Sequence, residues 1–232
     1  MSQIITVASG KGGTGKSHFC AGFARALSSL GKKVALIDGA MGLRTLDMIL
    51  GVDDKVFYTY VDVINGDCTL EEASVECGGF TLFSPPQNTL CENELTDFST
   101  NFSKDLQNLF DFIIIDSGSG ISNEFIQAIS PADKVILITE PTSESVRCVD
   151  RAAGVAEENG KKDLLLVINK VNPDYIKKGI QSQIITIIDM LGITTIGIVP
   201  DFNLKNKKHN PDIAFNNIAR RFVGEKVPIM DL

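Results

Sequence analysis

The chain of 232 residues is 44% hydrophobic, contains no tryptophan and has a formal net charge of −7 at pH 7. Its length fits one α/β domain with a large buried core, so residues 1–232 are expected to form a single domain. The acidic balance argues against direct nucleic-acid binding, and no apolar run approaches the roughly 20 residues that a membrane span needs. The first residues already belong to a predicted strand, which leaves no room for a secretion signal, and we expect a cytoplasmic protein.

Apolar runs alternate with amphipathic stretches along the whole chain, a pattern typical of a parallel sheet covered by helices. Strands are predicted near residues 3–8, 33–37, 80–84, 111–116, 134–139, 163–169 and 193–199. Helices are predicted near residues 16–30, 43–50, 56–64, 99–109, 122–129, 142–158, 174–190 and 211–223. We therefore expect an α/β fold with a doubly wound, mostly parallel sheet, whose ligand lies at the carboxyl ends of the strands.

The first predicted strand leads into a glycine-rich loop and a helix that together fit the phosphate-binding pattern G-x-x-x-x-G-K-[ST]. The eight loop residues are Gly10, Lys11, Gly12, Gly13, Thr14, Gly15, Lys16 and Ser17. In this arrangement backbone N–H groups surround a β-phosphate at the helix N-terminus. Lys16 would neutralise the β- and γ-phosphates, and Ser17 would give its hydroxyl to Mg²⁺. The alternative, a glycine-rich turn that binds nothing, is disfavoured because the pattern and its flanks agree.

Lys11 distinguishes this loop from an ordinary P-loop, which has no need of a second lysine directly after its first glycine. The loop resembles the deviant Walker A motif of the MinD/ParA family of P-loop ATPases, and the chain is most similar to the MinD-like members. The resemblance implies ATP and Mg²⁺ as cofactors and a homodimer with ATP sandwiched at its interface. It also implies that Lys11 acts in trans, on the partner's nucleotide; the alternative is a solvated lysine on a loop.

The segment after the second predicted strand strengthens this resemblance. MinD-like proteins carry D-x-D-x-G-L-R-x-L-D here as switch I, and residues 38–47 match that pattern except at the second aspartate. Asp38 matches the first aspartate, which implies a role in orienting Mg²⁺ and its waters. Ala40 stands where the family has the carboxylate that positions the attacking water. The loss of such a group typically costs about 10² to 10⁴ in rate, so ATP binding is expected to survive while hydrolysis nearly stops.

Two explanations of Ala40 are open. One is a deliberate substitution that traps the ATP-bound dimer, which we favour because the surrounding segment otherwise keeps the pattern. The other is a natural departure. The chain is interpreted as a MinD-like ATPase, a dimerisation switch that positions the cell-division site or a similar cargo and is impaired in hydrolysis. The alternative function is a non-hydrolysing, nucleotide-bound scaffold for a partner protein.

The fourth predicted strand is strongly apolar and ends at Asp116. An aspartate in this setting is typical of the Walker B motif, where it holds a water in the Mg²⁺ shell; the alternative is a carboxylate that caps a strand. Residues 117–120 resemble the family's switch II, D-x-P-A-G, although Gly118 and Ser119 replace the proline and the alanine. The resemblance implies that the N–H of Gly120 is available to the γ-phosphate.

Residues on the adenine side are also implied by the resemblance. Asn169 ends a predicted strand at the place where the family uses an asparagine to hydrogen-bond the adenine edge; the alternative is a turn asparagine. Pro200 and Asp201 close the last predicted strand, where relatives line the adenine pocket with backbone. His18 directly follows the glycine-rich loop and is a further candidate for nucleotide binding. The simpler explanation is a helix residue that is partly packed against its neighbours.

The cysteines indicate free thiols rather than a metal site. They are odd in number and show no C-x-x-C spacing: Cys20, Cys68, Cys77, Cys91 and Cys148. The two histidines, His18 and His209, are too few to complete a cluster with them. An electron-transfer ATPase resembling the nitrogenase iron protein would need two cysteines near the dimer axis, and this sequence offers no obvious pair.

The last predicted helix carries an apolar stripe, which favours packing on the core over a membrane-surface helix. The stripe consists of Phe215, Ile218, Ala219 and Phe222. MinD proteins of cell division add a basic amphipathic tail beyond this helix, whereas residues 227–232 read VPIMDL. Direct membrane binding is therefore not expected, and a peripheral location would need a removed tail or a partner. We expect a regulatory or cargo protein as that partner.

Overall fold

The computed structural model describes residues 2–40, 44–87, 102–202 and 210–229. Its strands are β1 (Gln3–Ala8), β2 (Val34–Asp38), β3 (Val75–Glu76), β4 (Thr81–Phe83), β5 (Phe112–Asp116), β6 (Lys134–Thr139), β7 (Leu164–Val171) and β8 (Thr194–Pro200). They form one sheet in the order β3-β4-β2-β5-β1-β6-β7-β8, in which only β3 and β4 pair antiparallel among the strands described. The predicted mostly parallel sheet is confirmed.

Helices cover both faces of this sheet. They are α1 (Lys16–Ser29), α2 (Leu46–Leu50), α3 (Tyr60–Asn65), α4 (Ser103–Gln107), α5 (Asn123–Ile129), α6 (Ser143–Glu158), α7 (Pro173–Lys177), α8 (Ile184–Leu191) and α9 (Pro211–Phe222). A short 3-10 turn covers Asp53–Lys55. The two covered faces make this the doubly wound arrangement that the alternation of apolar and amphipathic stretches predicts.

Side chains of the central strands alternate between two cores, because successive residues of a strand point to opposite faces. In β5, Ile114 belongs to the core that includes Phe19 of α1 and Phe215 of α9. Its neighbours Ile113 and Ile115 belong to the core that includes Leu106 of α4. Both faces are therefore covered, as the continuous apolar runs predicted.

Several elements differ from the prediction. The single helix expected near residues 174–190 is two helices, α7 and α8, because Gly179 has a φ of 71° and the chain turns before α8 begins. The edge strand β3 has only two residues, too short to produce a hydrophobic period. The helix expected near residues 56–64 begins at Tyr60, after a capping box between Thr59 and Asp62.

The last helix packs as predicted. Phe215, Ile218 and Ala219 are buried against α1 and β8, and Phe222 lies partly buried beside them. None of the helices in the described ranges combines the length and apolarity that crossing a bilayer requires.

Parallel register brings the predicted phosphate-side residues to one edge of the sheet. Asp38 of β2 and Val7 of β1 both pair with Asp116 of β5. The two aspartates are therefore neighbours at the carboxyl ends of their strands, next to the point where the chain leaves β1. This is the edge at which ligands of doubly wound sheets bind.

Candidate functional site

The P-loop, residues 10–17, connects β1 to α1 and turns at its glycines. Gly13 and Gly15 have φ values of 79° and 86°, in the left-handed region that glycine adopts without strain. The 14-residue helix α1 begins immediately after Gly15, and no described side chain caps its first amides. These free N–H groups make the start of α1 suitable for binding an anion.

Neighbouring elements approach the P-loop so closely that two of its glycines leave no room for a side chain. A Cβ atom at Gly10 would lie 2.0 Å from the carbonyl oxygen of Cys148 in α6. A Cβ atom at Gly15 would lie 2.5 Å from Nδ2 of Asn169 in β7. Alanine at Gly10 would displace the loop from α6, whereas alanine at Gly15 would push the Asn169 side chain aside and would be strained at a φ of 86°.

A cavity of about 610 Å³ opens beside the P-loop. Its described walls come from residues 13 and 15–18, from Ala40, Thr45 and Ile49, from residues 117–119 with Glu124, and from Lys170. The volume lies within the range of small-molecule sites. The fold therefore gathers residues of the P-loop, of switch I and of switch II around one space.

Lys16 reaches this cavity although only 7% of the residue is exposed. Its Nζ donates to Ser9 Oγ at 3.2 Å and to Ser119 Oγ at 3.1 Å. Burial lowers the pKa of Lys16, and the nearby Asp116 carboxylate opposes that shift. A buried ammonium whose described hydrogen-bond partners are two hydroxyls favours binding of a polyanion in front of it.

Asp116 is buried, and neither of its carboxylate oxygens has a hydrogen-bond partner among the described residues. Burial raises the pKa of Asp116 to about 7, and Asp38 adds to the shift. Ser17 and Cys20 lie close enough to oppose it, although neither completes a hydrogen bond to these oxygens. Because an unpartnered buried carboxylate is costly, a hydrated Mg²⁺ would supply partners that the protein itself does not provide there.

The raised pKa of Asp116 makes the stability of the metal-free protein depend on pH. The folded state keeps this proton up to about pH 7, whereas the unfolded chain releases it near 3.8, so stability falls as pH rises between these values. We expect Asp116→Asn to add about 2–3 kcal/mol more stability at pH 8 than at pH 5, because asparagine carries no charge to bury. Urea unfolding in EDTA measures this difference. The control is Asp189→Asn, at an exposed position of α8; an equal effect of Asp116→Asn at both pH values would contradict the expectation.

Asp38 organises the start of switch I. Its Oδ1 accepts the N–H of Ala40 at 3.0 Å, and its Oδ2 accepts the N–H groups of Thr45 and Leu46 at 3.0 and 3.1 Å. Burial raises the pKa of Asp38, while these three N–H groups lower it. The carboxylate thus stabilises the N-terminal end of α2, and its role towards Mg²⁺ stays a prediction. Residues 41–43 of switch I lie outside the described residues.

Lys11 is paired within its own chain. Its Nζ donates to Oε2 of Glu144, in the first turn of α6, at 2.8 Å. This hydrogen bond raises the pKa of Lys11. The two side chains are 32% and 72% exposed, and exposed ion pairs contribute little to stability. Lys11 is therefore held by a contact that can be exchanged for another at small cost.

Two of the residues predicted for the adenine side lie beside the P-loop. Asn169 is buried, and its Nδ2 donates to the carbonyl oxygen of Thr14 at 2.8 Å. Its Oδ1 is buried and has no partner among the described residues. The exposed ring of His18 lies 6.0 Å from the Phe202 ring in an edge-on arrangement. The adenine roles of Asn169 and His18 stay predictions.

Three other predicted residues are not among those that line the described cavity. Pro200 ends β8, and the N–H of Asp201 donates to the carbonyl oxygen of Val171 at 3.0 Å. Gly120 has a φ of 93°, and its N–H donates to the carbonyl oxygen of Ser9 at 3.3 Å. Gly120 must therefore exchange this contact before it can face a γ-phosphate. The roles of all three stay predictions.

The site also contains residues that were not predicted as site residues. Ser9 and Ser119 hold Lys16, Glu144 holds Lys11, and Lys170 lines the cavity. Ser119 lies in the switch II segment, and this position was the available signal for it. The contact of Lys11 with Glu144 joins residues 133 positions apart, and such a pair cannot be found from a local sequence pattern.

The structure describes four of the five cysteines. Cys20, Cys68, Cys77 and Cys148 are free. Across the described ranges, no three or more His, Cys, Asp or Glu side chains cluster as a metal site would require. Cys91 and His209 lie outside the described residues.

Known proteins resemble this chain over nearly its whole length. The model of the CobQ/CobB/MinD/ParA nucleotide binding domain matches residues 5–210. The septum site-determining proteins MinD of Synechocystis and Bacillus subtilis are each 34% identical, covering 100% of this chain and 93% of their own length. A chain of the Aquifex aeolicus MinC:MinD cell division protein complex superposes with a TM-score of 0.84 at 32% identity, covering 99% of both chains. MinD of Pyrococcus horikoshii, complexed with Mg-ADP, has a TM-score of 0.83 at 24% identity over 97% of both chains, which shows the shared fold.

Proposed function

Because the chain belongs to the CobQ/CobB/MinD/ParA nucleotide-binding family, we propose that it is a MinD-like ATPase that switches between monomer and dimer with its bound nucleotide. The observation that carries this proposal is the P-loop arrangement, in which the start of α1 adjoins the buried ammonium of Lys16 and the unpartnered carboxylate of Asp116. A helix N-terminus and an ammonium attract phosphate, and a carboxylate attracts a cation. Together they fit a nucleoside triphosphate with its Mg²⁺.

In this proposal each phosphate-side residue has a defined task. The amides of the P-loop hold the β-phosphate, and Lys16 neutralises the β- and γ-phosphates. The Ser17 hydroxyl, Asp116 and Asp38 hold Mg²⁺ and its waters, and the bound ion supplies charge neutralisation at the phosphates. The orphaned oxygens of Asp116 support this assignment, because they are buried without protein partners in the described structure.

Dimerisation gives Lys11 its second position. In the single chain Lys11 is paired with Glu144 at 2.8 Å. In the proposed dimer it leaves this carboxylate and contacts the nucleotide of the partner, where phosphates offer a higher density of negative charge. The ATP-bound dimer and the free monomer must differ by several kcal/mol in partner affinity for the switch to be nearly complete.

Ala40 limits the proposed cycle at hydrolysis. The residue lines the cavity, and its methyl group can neither accept a proton nor hold a water in line. We propose that the chain binds ATP, dimerises and turns over very slowly. The same observation favours a second candidate, a scaffold that uses nucleotide as a structural element and does not hydrolyse it.

The proposed cellular role is spatial positioning of the division site or of a similar cargo. The relatives that carry the name septum site-determining protein, and the MinC:MinD complex, support this role and a regulatory or cargo protein as partner. We propose that residues 1–232 act as one ATPase domain in the cytoplasm, without direct contact to nucleic acid. Any membrane contact would then be peripheral, through a partner or a tail.

Mass measurement by light scattering tests the proposed switch. With ATP and Mg²⁺ we expect twice the monomer mass, and with ADP or without nucleotide the monomer mass. Lys11→Ala is expected to bind ATP and stay monomeric, because it removes the contact across the interface. The control is Lys33→Ala, an exposed lysine just before β2. A wild-type monomer in ATP, or a Lys11→Ala protein that dimerises as readily, would contradict the proposal.

A further inference from the structure

The end of β7 contains a bulge directly beside the P-loop. Along β7 the pairing with β8 advances three residues, from Ile168 to Val171, while along β8 it advances two, from Ile198 to Pro200. One residue of β7 is therefore extra, and Lys170 has a φ of 55°, which is uncommon for a residue with a side chain. Bulges of this kind bend a strand and redirect its side chains.

The bulge brings two consecutive side chains onto the P-loop, whereas neighbours in a regular strand point to opposite faces. Asn169 Nδ2 donates to the carbonyl oxygen of Thr14 at 2.8 Å. Lys170 Nζ donates to the carbonyl oxygen of Gly13. Two adjacent peptide groups of the loop are thus held from the same strand end.

Holding these carbonyl groups determines where the loop's N–H groups point. The peptide unit is planar and trans, so its C=O and N–H point in opposite directions. A fixed Gly13 carbonyl fixes the N–H of Thr14, and a fixed Thr14 carbonyl fixes the N–H of Gly15. These are amides of the kind that a P-loop offers to phosphate.

A third residue fixes the backbone of the bulge itself. Gln181 Nε2 donates to the carbonyl oxygen of Lys170 at 2.9 Å, and its Oε1 accepts the N–H of Asn172 at 2.8 Å. The Lys170 ammonium is also paired with Glu140 Oε1 at 2.6 Å. Gln181 is not one of the residues that line the described cavity wall, so its effect on the ligand is indirect, through the backbone of residues 170–172.

We propose that Asn169, Lys170 and Gln181 are positioning residues that orient the P-loop amides towards phosphate. This inference rests on the proposed nucleotide-binding function and adds residues to its site. It assigns Nδ2 of Asn169 to the loop. The bulge thus connects the end of β7 to the P-loop.

The hydrogen bonds of Asn169, Lys170 and Gln181 together form a brace for the P-loop. Calorimetric titration with ATP and with inorganic tripolyphosphate, each in the presence of Mg²⁺, tests this brace. We expect Gln181→Met to weaken both ligands by the same factor, roughly tenfold, because the amides lose their alignment while the cavity wall is intact. Lys170→Met is expected to weaken both at least as much, and Lys170→Arg to recover most of the loss. The control is Lys178→Met, at an exposed position after α7.

Comparing the two ligands distinguishes a loss of phosphate binding, which the brace predicts, from a loss of base binding. It also distinguishes failure of the brace from failure of the proposed nucleotide-binding function. Unchanged tripolyphosphate affinity in Gln181→Met and Lys170→Met would overturn the brace, as would a loss confined to ATP. If wild-type protein binds neither probe, the proposed nucleotide function fails and the brace fails with it. If wild-type binds both and the variants bind equally well, only the brace fails. Unfolding midpoints of the ligand-free variants show whether each one is folded.

Discussion

Replacing Ala40 by aspartate is expected to raise kcat for ATP by about 10² to 10⁴. Position 40 lines the cavity, and its N–H donates to Asp38 Oδ1 at 3.0 Å. Because this hydrogen bond fixes the backbone, an aspartate side chain at position 40 would be well positioned in the cavity. That carboxylate would orient a water towards the γ-phosphate and accept its proton. Phosphate release under saturating ATP and Mg²⁺ measures the rate, and light scattering follows the dimer at the same time.

Ala40→Asn is the matched control, because it has nearly the size of aspartate and cannot accept the proton. We expect it to stay within about tenfold of the wild-type rate. If Ala40→Asp gains activity and its dimers dissociate with turnover, the enzyme is favoured over the scaffold. Wild-type turnover as fast as that of Ala40→Asp would contradict the assignment of position 40.

Replacing Lys16 by methionine is expected to weaken ATP binding at least about 10²-fold, the equivalent of about 3 kcal/mol. Methionine keeps most of the buried volume and removes the ammonium that now donates to Ser9 and Ser119. The same change should leave the ligand-free protein as stable as wild type or more so, because burial already lowers the pKa of Lys16 and so disfavours its charge.

Weaker ATP binding together with unchanged or greater stability would distinguish a lost phosphate contact from general damage to the fold. Calorimetric titration with ATP and Mg²⁺ gives the affinity, and urea unfolding gives the stability. Lys134→Met, at the first residue of β6 where Lys134 pairs with Asp163, provides a lysine-to-methionine change away from the P-loop. Undiminished ATP binding by Lys16→Met would show that the phosphates lie elsewhere.

The central strands and the P-loop could be predicted because their signals are local. The apolar run of β5 is continuous, and a strand buried on both faces has no other pattern to show. The P-loop requires glycine at defined positions, and Gly13 and Gly15 do adopt positive φ values. Such features depend on residues adjacent in sequence, so a pattern can reveal them.

Features that depend on distant residues could not be predicted in this way. The ion pair of Lys11 with Glu144 joins residues 133 positions apart, and the contact of Asn169 with Thr14 spans 155 positions. Lys170 has a φ of 55°, which its residue type does not predict. Sequence motifs therefore predict the residues proposed to face phosphate but not the groups that hold those residues in place.

A crystal structure of the chain grown with ATP and Mg²⁺ tests the central claim most directly. The account predicts two chains face to face, a triphosphate enclosed by residues 10–17 of each, and Lys11 moved from Glu144 to the nucleotide of the other chain. A P-loop without nucleotide, or a single ATP-bound chain with Lys11 still on Glu144, would contradict it.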